Sequence, residues 1–332
     1  MRKVLLCVLF FPWSLQAGIE YAAAISAKQG ERALIVWQKG RIIEERYRNG
    51  GGVDRAENIY SITKSLCALG ILTGAGRGLF KLDEPVSQTL TEWKSDPVKN
   101  KITVRELLSQ TSGLDPGYEA LYGGSLKNKN SAVLKISQRS QPGQSFAYGP
   151  AHYEALETFI ARKTGQSASK WQQSTFLGPA DIQPAHWRTD QRGDPFYSAG
   201  MHVTARELLK AAQITRRQGW VWVFPLISSH MIQEAMEGSD ANGMYGCGFW
   251  LNRHAKHSAS VERDVEEAIS AGLSRADWDR ACLSKKAPAD LVAFVGSQGQ
   301  RVYIVPSQSL IIVRLGKGSG FRDPDFLGAY FR

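Results

Sequence analysis

Residues 61–78 read SITKSLCALGILTGAGRG, and this stretch decides the fold. From Ile62 onward its apolar residues recur at helical spacing, so a helix starts at Ser61. Positions i and i+3 share a helix face, which brings Lys64 within reach of the Ser61 hydroxyl. The free N–H groups and the positive dipole end at a helix start favour an alkoxide there, and the oxyanion that follows it. A lysine sunk among apolar neighbours loses charge stability, and its pKa falls toward that of a useful base. Ser61 and Lys64 therefore have the makings of a nucleophile and its general base.

Working outward, LIVWQKGRIIEERY at 34–47 holds two β-branched runs around Lys39-Gly40, a hairpin by its turn chemistry. Helical periodicity returns at 103–110, 131–139, 151–164, 204–217 and 225–237. From Asp290, DLVAFVGSQGQRVYIVPSQSLIIVRLG reads as two strands joined by a turn at Pro306-Ser307. Strands at both ends with helices between them predict an α+β fold. One antiparallel sheet is formed by both chain ends, with flanking helices and a helical subdomain over about 80–200. The charged segment at 253–286 reads as an insertion, and Trp278 and Cys282 predict that it packs down. Trp220, Trp222 and Phe224 read as core, while Tyr118, Tyr122 and Trp250 are candidates to wall a pocket.

Of the 332 residues, 43% are hydrophobic and 22% charged, which excludes a disordered chain and suits one globular domain over 18–332. The formal net charge is +10, but Lys and Arg are dispersed, a basic surface rather than a nucleic-acid footprint. Arg2-Lys3, an apolar run over 4–11, Pro12 and the small residues Ala17-Gly18 together predict a secretory signal peptide at 1–17. The run is too short to span a bilayer, so a periplasmic or secreted protein with no stable membrane span is expected. In an oxidising compartment two of the remaining cysteines pair, and Cys247 with Cys282, which flank the insertion, is the expected disulfide. Cys67 reads as a small buried hydrophobe. The histidines lack ligand spacing with Cys or carboxylates, so neither a metal nor a cofactor is called for. His202 is a candidate to line the cleft.

A Ser-x-x-Lys tetrad is weak on its own, since residues this common meet at that spacing on the order of once in such a chain. A second copy, Ser167-Ala168-Ser169-Lys170, reads as a capped, solvent-facing helix start. The first copy stands in informative company. SITKSLCALGILTGAGRGLFKLDEPVSQTL, ITVRELLSQTSGLDPG, PGQSFAYGPAHYEAL, YSAGMHVTARELL and GSQGQRVYIVPSQSLIIVRLG resemble, in order, blocks of the β-lactamase-related serine hydrolases. That group contains class C β-lactamases, D-alanyl-D-alanine peptidases, esterases and aminohexanoate-dimer hydrolases, and the resemblance runs over about 33–316. It implies a β-lactamase/transpeptidase-like fold, Ser61 as the acylated serine, Lys64 as its lysine, and Tyr148 as the tyrosine that shuttles protons.

The chain also departs from that pattern. Pro150 stands where the second motif has asparagine, and Ser297-Gln298-Gly299 stands where a Lys-Thr-Gly or His-x-Gly triplet is expected beside the serine. A literal Lys163-Thr164-Gly165 sits at a helix end, where Gly165 serves as a left-handed C-cap. By the resemblance, Gly299 lets the backbone approach substrate, and the Gln300 N–H joins that of Ser61 in an oxyanion hole. The reaction implied is hydrolysis of a small ester or linear amide through a Ser61 acyl-enzyme, with a small-molecule partner of cell-envelope origin. A D-alanyl peptidase, a weak β-lactamase and a non-catalytic envelope peptide-binding or sensor domain are the rival readings.

Overall fold

The computed structural model describes residues 13–123, 126–318 and 320–332. The basic pair and apolar run of the expected signal peptide lie outside the described residues. Helix α1 (Trp13–Lys28) runs through Ala17-Gly18, the expected end of that peptide.

The chain ends build a six-stranded antiparallel sheet. Its strands are β1 (Glu31–Gln38), β2 (Arg41–Tyr47), β3 (Trp250–Leu251), β4 (Val292–Gly296), β5 (Gln300–Val305) and β6 (Leu310–Gly316). They lie in the order β2-β1-β6-β5-β4-β3, so the first and last strands of the chain are neighbours at its centre. Lys39 and Gly40 make the predicted β1–β2 turn, both at positive φ.

Successive strand residues face opposite sides, and here both sides are covered. Ile35, Trp37, Phe294, Val302, Ile304, Ile311 and Val313 face the main core. That core also takes in α2 (Ile62–Gly76), α3 (Pro150–Thr164) and α4 (Ala205–Arg216). Leu34, Val36, Val295, Tyr303, Val305 and Ile312 face a second cluster, under α1, α5 (Val265–Ala271) and α6 (Asp323–Tyr330). Burial on both faces explains why the strands read as near-continuous apolar runs instead of alternating ones.

The carboxy-terminal stretch forms three strands, not two. Ser297, Gln298 and Gly299 are the hairpin turn between β4 and β5, with Gln298 at φ +63 and Gly299 at φ +72. Turn chemistry was hidden there inside an apolar run, and the left-handed pair is what breaks the strand.

The insertion packs onto the second cluster. Its short parallel strands Val261–Glu262 and Ala281–Cys282 pair, and Trp278 is buried against Phe146 and Trp250. Asp264 and Glu266 join a buried ion cluster around Arg301, whose guanidinium meets Asp323 at 2.7 Å, Glu266 at 3.3 Å and Asp264 at 3.5 Å.

The expected Cys247–Cys282 disulfide is absent, and both thiols are free and buried. Cys247 belongs to the main core, its N–H bonded to Ala235 O, while Cys282 sits on the insertion's parallel pair beyond the sheet. Burial pushes their pKa values up to about 12 and about 11, so both remain protonated. Trp220, Trp222 and Phe224, expected in the core, are instead exposed.

Arg301 is the hub of a closed charge cluster, so Arg301→Leu leaves the buried Asp323 carboxylate unpaired. The expected loss is about 3–5 kcal/mol of unfolding free energy. Urea denaturation checks this, and an unchanged midpoint would contradict the cluster's role.

Candidate active site

Tyr60 adopts a left-handed conformation (φ +46), its N–H held by Asn58 Oδ1 at 2.9 Å, and the chain turns sharply into α2. Ser61 is the N-cap of that helix, yet its side chain makes no capping bond, so the hydroxyl is left for chemistry. Every residue from Ile62 to Gly74 is buried, which makes α2 a rigid central post.

One turn on, Lys64 is 2% exposed. Its Nζ donates to Ser61 Oγ at 3.2 Å and to Ser198 O at 2.8 Å. Loss of water around the ammonium lowers its pKa to about 7, against the opposing pull of the Glu154 carboxylate. A neutral amine within reach of the hydroxyl is thus accessible near neutral pH.

Tyr148 lies in the loop before α3, its ring centroid 4.8 Å from Lys64 Nζ. Burial, with Tyr245 beside it, holds its phenol far above the ordinary value, while a hydrogen bond with Ser61 works the other way. Tyr148 is accordingly a neutral phenol, able to hand on a proton. Ser61, Lys64 and Tyr148 are therefore brought together as the sequence expects.

Several residues that sequence reasoning did not single out hold this trio. Gln110 accepts the Ala147 N–H on its backbone carbonyl at 3.1 Å and the Gly149 N–H on its side chain at 2.8 Å. His152 is fully buried, and burial lowers its pKa to about 4, so it is neutral. A carbonyl can only accept, so Nε2 donates to Ala147 O at 2.7 Å and Nδ1 accepts from Ser112 Oγ at 2.9 Å. The Tyr148 loop is clamped on both sides of its tyrosine.

Behind Lys64 lies a buried polar chain. Ser198 donates its N–H to Glu154 Oε1 at 2.9 Å and its hydroxyl to the same oxygen, while Tyr122 OH lies 2.8 Å from Ser198 Oγ. Lys129 Nζ pairs with Glu154 at 3.2 Å and Glu157 at 2.5 Å, and all three side chains are 0% exposed. Burial raises Glu157 to about 7, with Lys129 opposing the shift. Burial works against the Lys129 ammonium too, but Glu154 and Glu157 outweigh it and its pKa rises. The available signal for these residues was location: Gln110 and Ser112 fall in the SQTSG block, and His152, Glu154 and Glu157 follow Tyr148 within one helix.

The strand beside the serine ends differently from expectation. Gly296 abuts the start of α2, where a Cβ would fall 2.3 Å from Ile59 O and 3.3 Å from Ile62 N. Gly299 instead packs against Arg314 and Phe321, its N–H on Glu266 Oε1 at 3.3 Å. Gln300 is buried in the sheet, donating through Nε2 to Gly316 O at 2.6 Å and accepting the Gly316 N–H at 3.0 Å. Ser297, Gln298 and Gly299 line an open cleft beside α5. The strand residues preceding Gly296 are Phe294 and Val295, both buried, so this strand presents no cation to the site.

The remaining candidates separate. Tyr122 joins the Ser198 chain, Tyr118 stands edge-on to it at 6.0 Å, and Trp250 is buried against Tyr148 and Tyr245. His202, on the short strand Met201–Val203, pairs with Asn58 and faces His186 at 5.2 Å. Ser167 and Lys170 are both exposed at a separate helix start. Gly165 caps α3 in the left-handed conformation, φ +68.

A sheet made of both chain ends with a serine-lysine-tyrosine trio beside it defines a class, the serine hydrolases of the Ser-x-x-Lys type. The family model described as Beta-lactamase matches residues 27–331, and the chain belongs to that family. Esterase EstB of Burkholderia gladioli is 33% identical over 173 residues, 44% of this chain and 41% of that protein. Protein flp of Staphylococcus aureus (strain MRSA252) is 30% identical over 130 residues, 36% of this chain, and the match spans about a quarter, 26%, of that relative's length. Among solved structures, EstCE1, a hydrolase with promiscuous acyltransferase activity, superposes with a TM-score of 0.74. It shares 15% identity, with 97% of this chain and 100% of that one covered, a likeness of fold.

With Lys64 as the expected base for Ser61, the rate of Ser61 modification is expected to fall about tenfold per pH unit below pH ~7 and to level off above. Glu154→Gln keeps the acceptor for Ser198 but removes a negative charge that stabilises the Lys64 ammonium. The acidic limb then moves down by about one pH unit. Labelling rates with a fluorophosphonate across pH 5–9 check both (a range set about Lys64's value of about 7), and an unmoved limb in the variant would remove Glu154 from the account.

Proposed function

We propose that this protein is an exported serine hydrolase that cleaves small esters or linear amides through a Ser61 acyl-enzyme. The observation that carries the reading is the buried Lys64 amine, its pKa at about 7, 3.2 Å from an uncapped serine hydroxyl. Neutral Lys64 takes the Ser61 proton as Oγ attacks the substrate carbonyl carbon. The oxyanion is held by the backbone N–H groups of Ser61 and Ser297, neither of which has an acceptor among the described residues. Ser297 replaces Gln300 in this role because Gly296, one residue before it, is the strand position pressed against the helix start. As the tetrahedral intermediate collapses, the C–O or C–N bond breaks and the Tyr148 phenol protonates the leaving group. Tyr148 recovers its proton from the Lys64 ammonium. Water then adds to the acyl-enzyme as neutral Lys64 takes its proton, and on collapse the bond from the carbonyl carbon to Ser61 Oγ breaks, Oγ regains that proton from Lys64, and the carboxylic acid leaves.

The choice of small esters or linear amides rests on what the site lacks. Pro150 offers no amide side chain, and the strand beside Ser61 offers no cation to a substrate carboxylate. The likeness to Esterase EstB supports the same branch. The basic pair and apolar run at residues 2–11 support export.

Intact-protein mass after exposure to a fluorophosphonate, short p-nitrophenyl esters and a penicillin tests the proposal. The phosphonate and ester adducts are expected on the wild type and on Ser167→Ala, and to be absent from Ser61→Ala. An adduct from penicillin alone would move the assignment to the penicillin-recognising enzymes. No adduct with any probe would leave a binding domain.

A further inference from the structure

Residues 220–225, WVWVFP, form a small hairpin after α4. Strands Trp220–Val221 and Phe224–Pro225 pair with Val221 opposite Phe224, which puts Trp222-Val223 at the tip. Trp222, Val223 and Phe224 are 81%, 73% and 71% exposed, a contiguous apolar run turned into solvent. Nor is the tip slack. The N–H groups of Leu226 and Ile227 both bond to Gly219 O, at 3.0 and 3.1 Å, and the Arg217 guanidinium donates to Trp222 O. Trp222 is held at φ +51, where a bulky residue is a genuine outlier and glycine would be free of strain. The chain thus keeps its largest side chain at an unfavourable backbone position, in water, where folding gains nothing from it.

Cations flank the tip. Arg217 is exposed and bonded to it, and Arg216 lies 4.8 Å over the Trp37 ring one residue earlier. Lys210 and Asp181 form an ion pair of 2.7 Å and line the groove beside Trp220 and Trp222. We propose that this hairpin seats the protein on an anionic lipid surface, with Trp222, Val223 and Phe224 in the headgroup–acyl boundary and Arg217 among the phosphates. Three physical points favour that occupant. Tryptophan partitions to the membrane interface because its body is apolar and its N–H is satisfied at headgroup depth. Exposed Arg217 and the excess of Lys and Arg over Asp and Glu are attracted to anionic lipid. A stable protein interface buries about 800 Å² per partner, more than three side chains of at most about 150–250 Å² each supply. Among the described residues no helix is long and apolar enough to cross a membrane, so the contact is a peripheral one.

The test is flotation of the full chain with phosphatidylcholine vesicles containing about 30% phosphatidylglycerol, beside pure phosphatidylcholine vesicles. The comparison variants are Trp222→Ser/Val223→Ser/Phe224→Ser and the single Trp222→Gly, which suits the left-handed backbone and keeps the hairpin closed. The wild type is expected to float with the anionic vesicles at least about tenfold more than the triple variant, and less in high salt. Ester hydrolysis is expected to be equal in all three proteins, because no hairpin residue belongs to the Ser61 site. Equal flotation of wild type and variants, or equal binding to neutral and anionic vesicles, overturns the proposal. So does a wild-type dimer in sedimentation velocity that the triple variant abolishes without any vesicle binding, which would assign the tip to a second copy of the chain.

Discussion

Burying the amine of Lys64 is the constraint from which the rest of the site follows. An ammonium taken out of water costs several kcal/mol unless it is paired or neutralised. Here neither remedy is complete. The Ser198 carbonyl and Ser61 hydroxyl accept from Nζ, the Tyr148 ring faces it, and Glu154 acts from behind Ser198. Partial compensation leaves the amine poised near neutrality, the condition that general-base catalysis requires. Burial of α2 from Ile62 to Gly74 is the means, because a lysine on a surface helix would simply snorkel to water.

Most of the apparatus around that amine comes from one piece of chain. Tyr148 precedes α3 directly, Pro150 opens it at the position where a missing N–H costs nothing, and His152, Glu154 and Glu157 are carried on its buried first turns. The helix thereby fixes the phenol, the clamp on its loop and the acidic partner of Ser198 as one rigid unit. Pro150 stands where the resemblance leads one to expect an asparagine, and Lys64 donates to a backbone carbonyl, Ser198 O. That carbonyl is held in place by Glu154.

What could be read in the sequence is what periodicity and order reveal. The end-to-end sheet, α2, and the trio Ser61, Lys64 and Tyr148 follow from apolar spacing and from five blocks in sequence. Ser297-Gln298-Gly299 was misplaced because a three-residue turn inside an apolar run carries no periodicity, and only the φ values mark it. Gly296 was missed for a related reason: its importance is a close approach to Ile59 O, a tertiary fact that no local pattern encodes. Trp220, Trp222 and Phe224 read as core because aromatic residues usually are, yet of this hairpin only Val221 packs against the main core and the tip projects into solvent. The cysteine pairing failed because flanking an insertion in sequence does not bring two thiols to the same side of a sheet.

The buried charges also bear on the chemical step itself. Lys64 feels the buried Glu154 side chain, which is itself paired with Lys129 at 3.2 Å. In the proposed reaction Lys64 becomes a cation as it takes the Ser61 proton, a charge that Glu154 favours. Glu154 already faces the charge that develops, and no dipole has to reorient to meet it, which is the essence of electrostatic preorganisation. In the proposed mechanism the same carboxylate that opposes deprotonation of Lys64 before reaction assists the proton transfer in the transition state. A pKa near 7 marks the balance between these two demands.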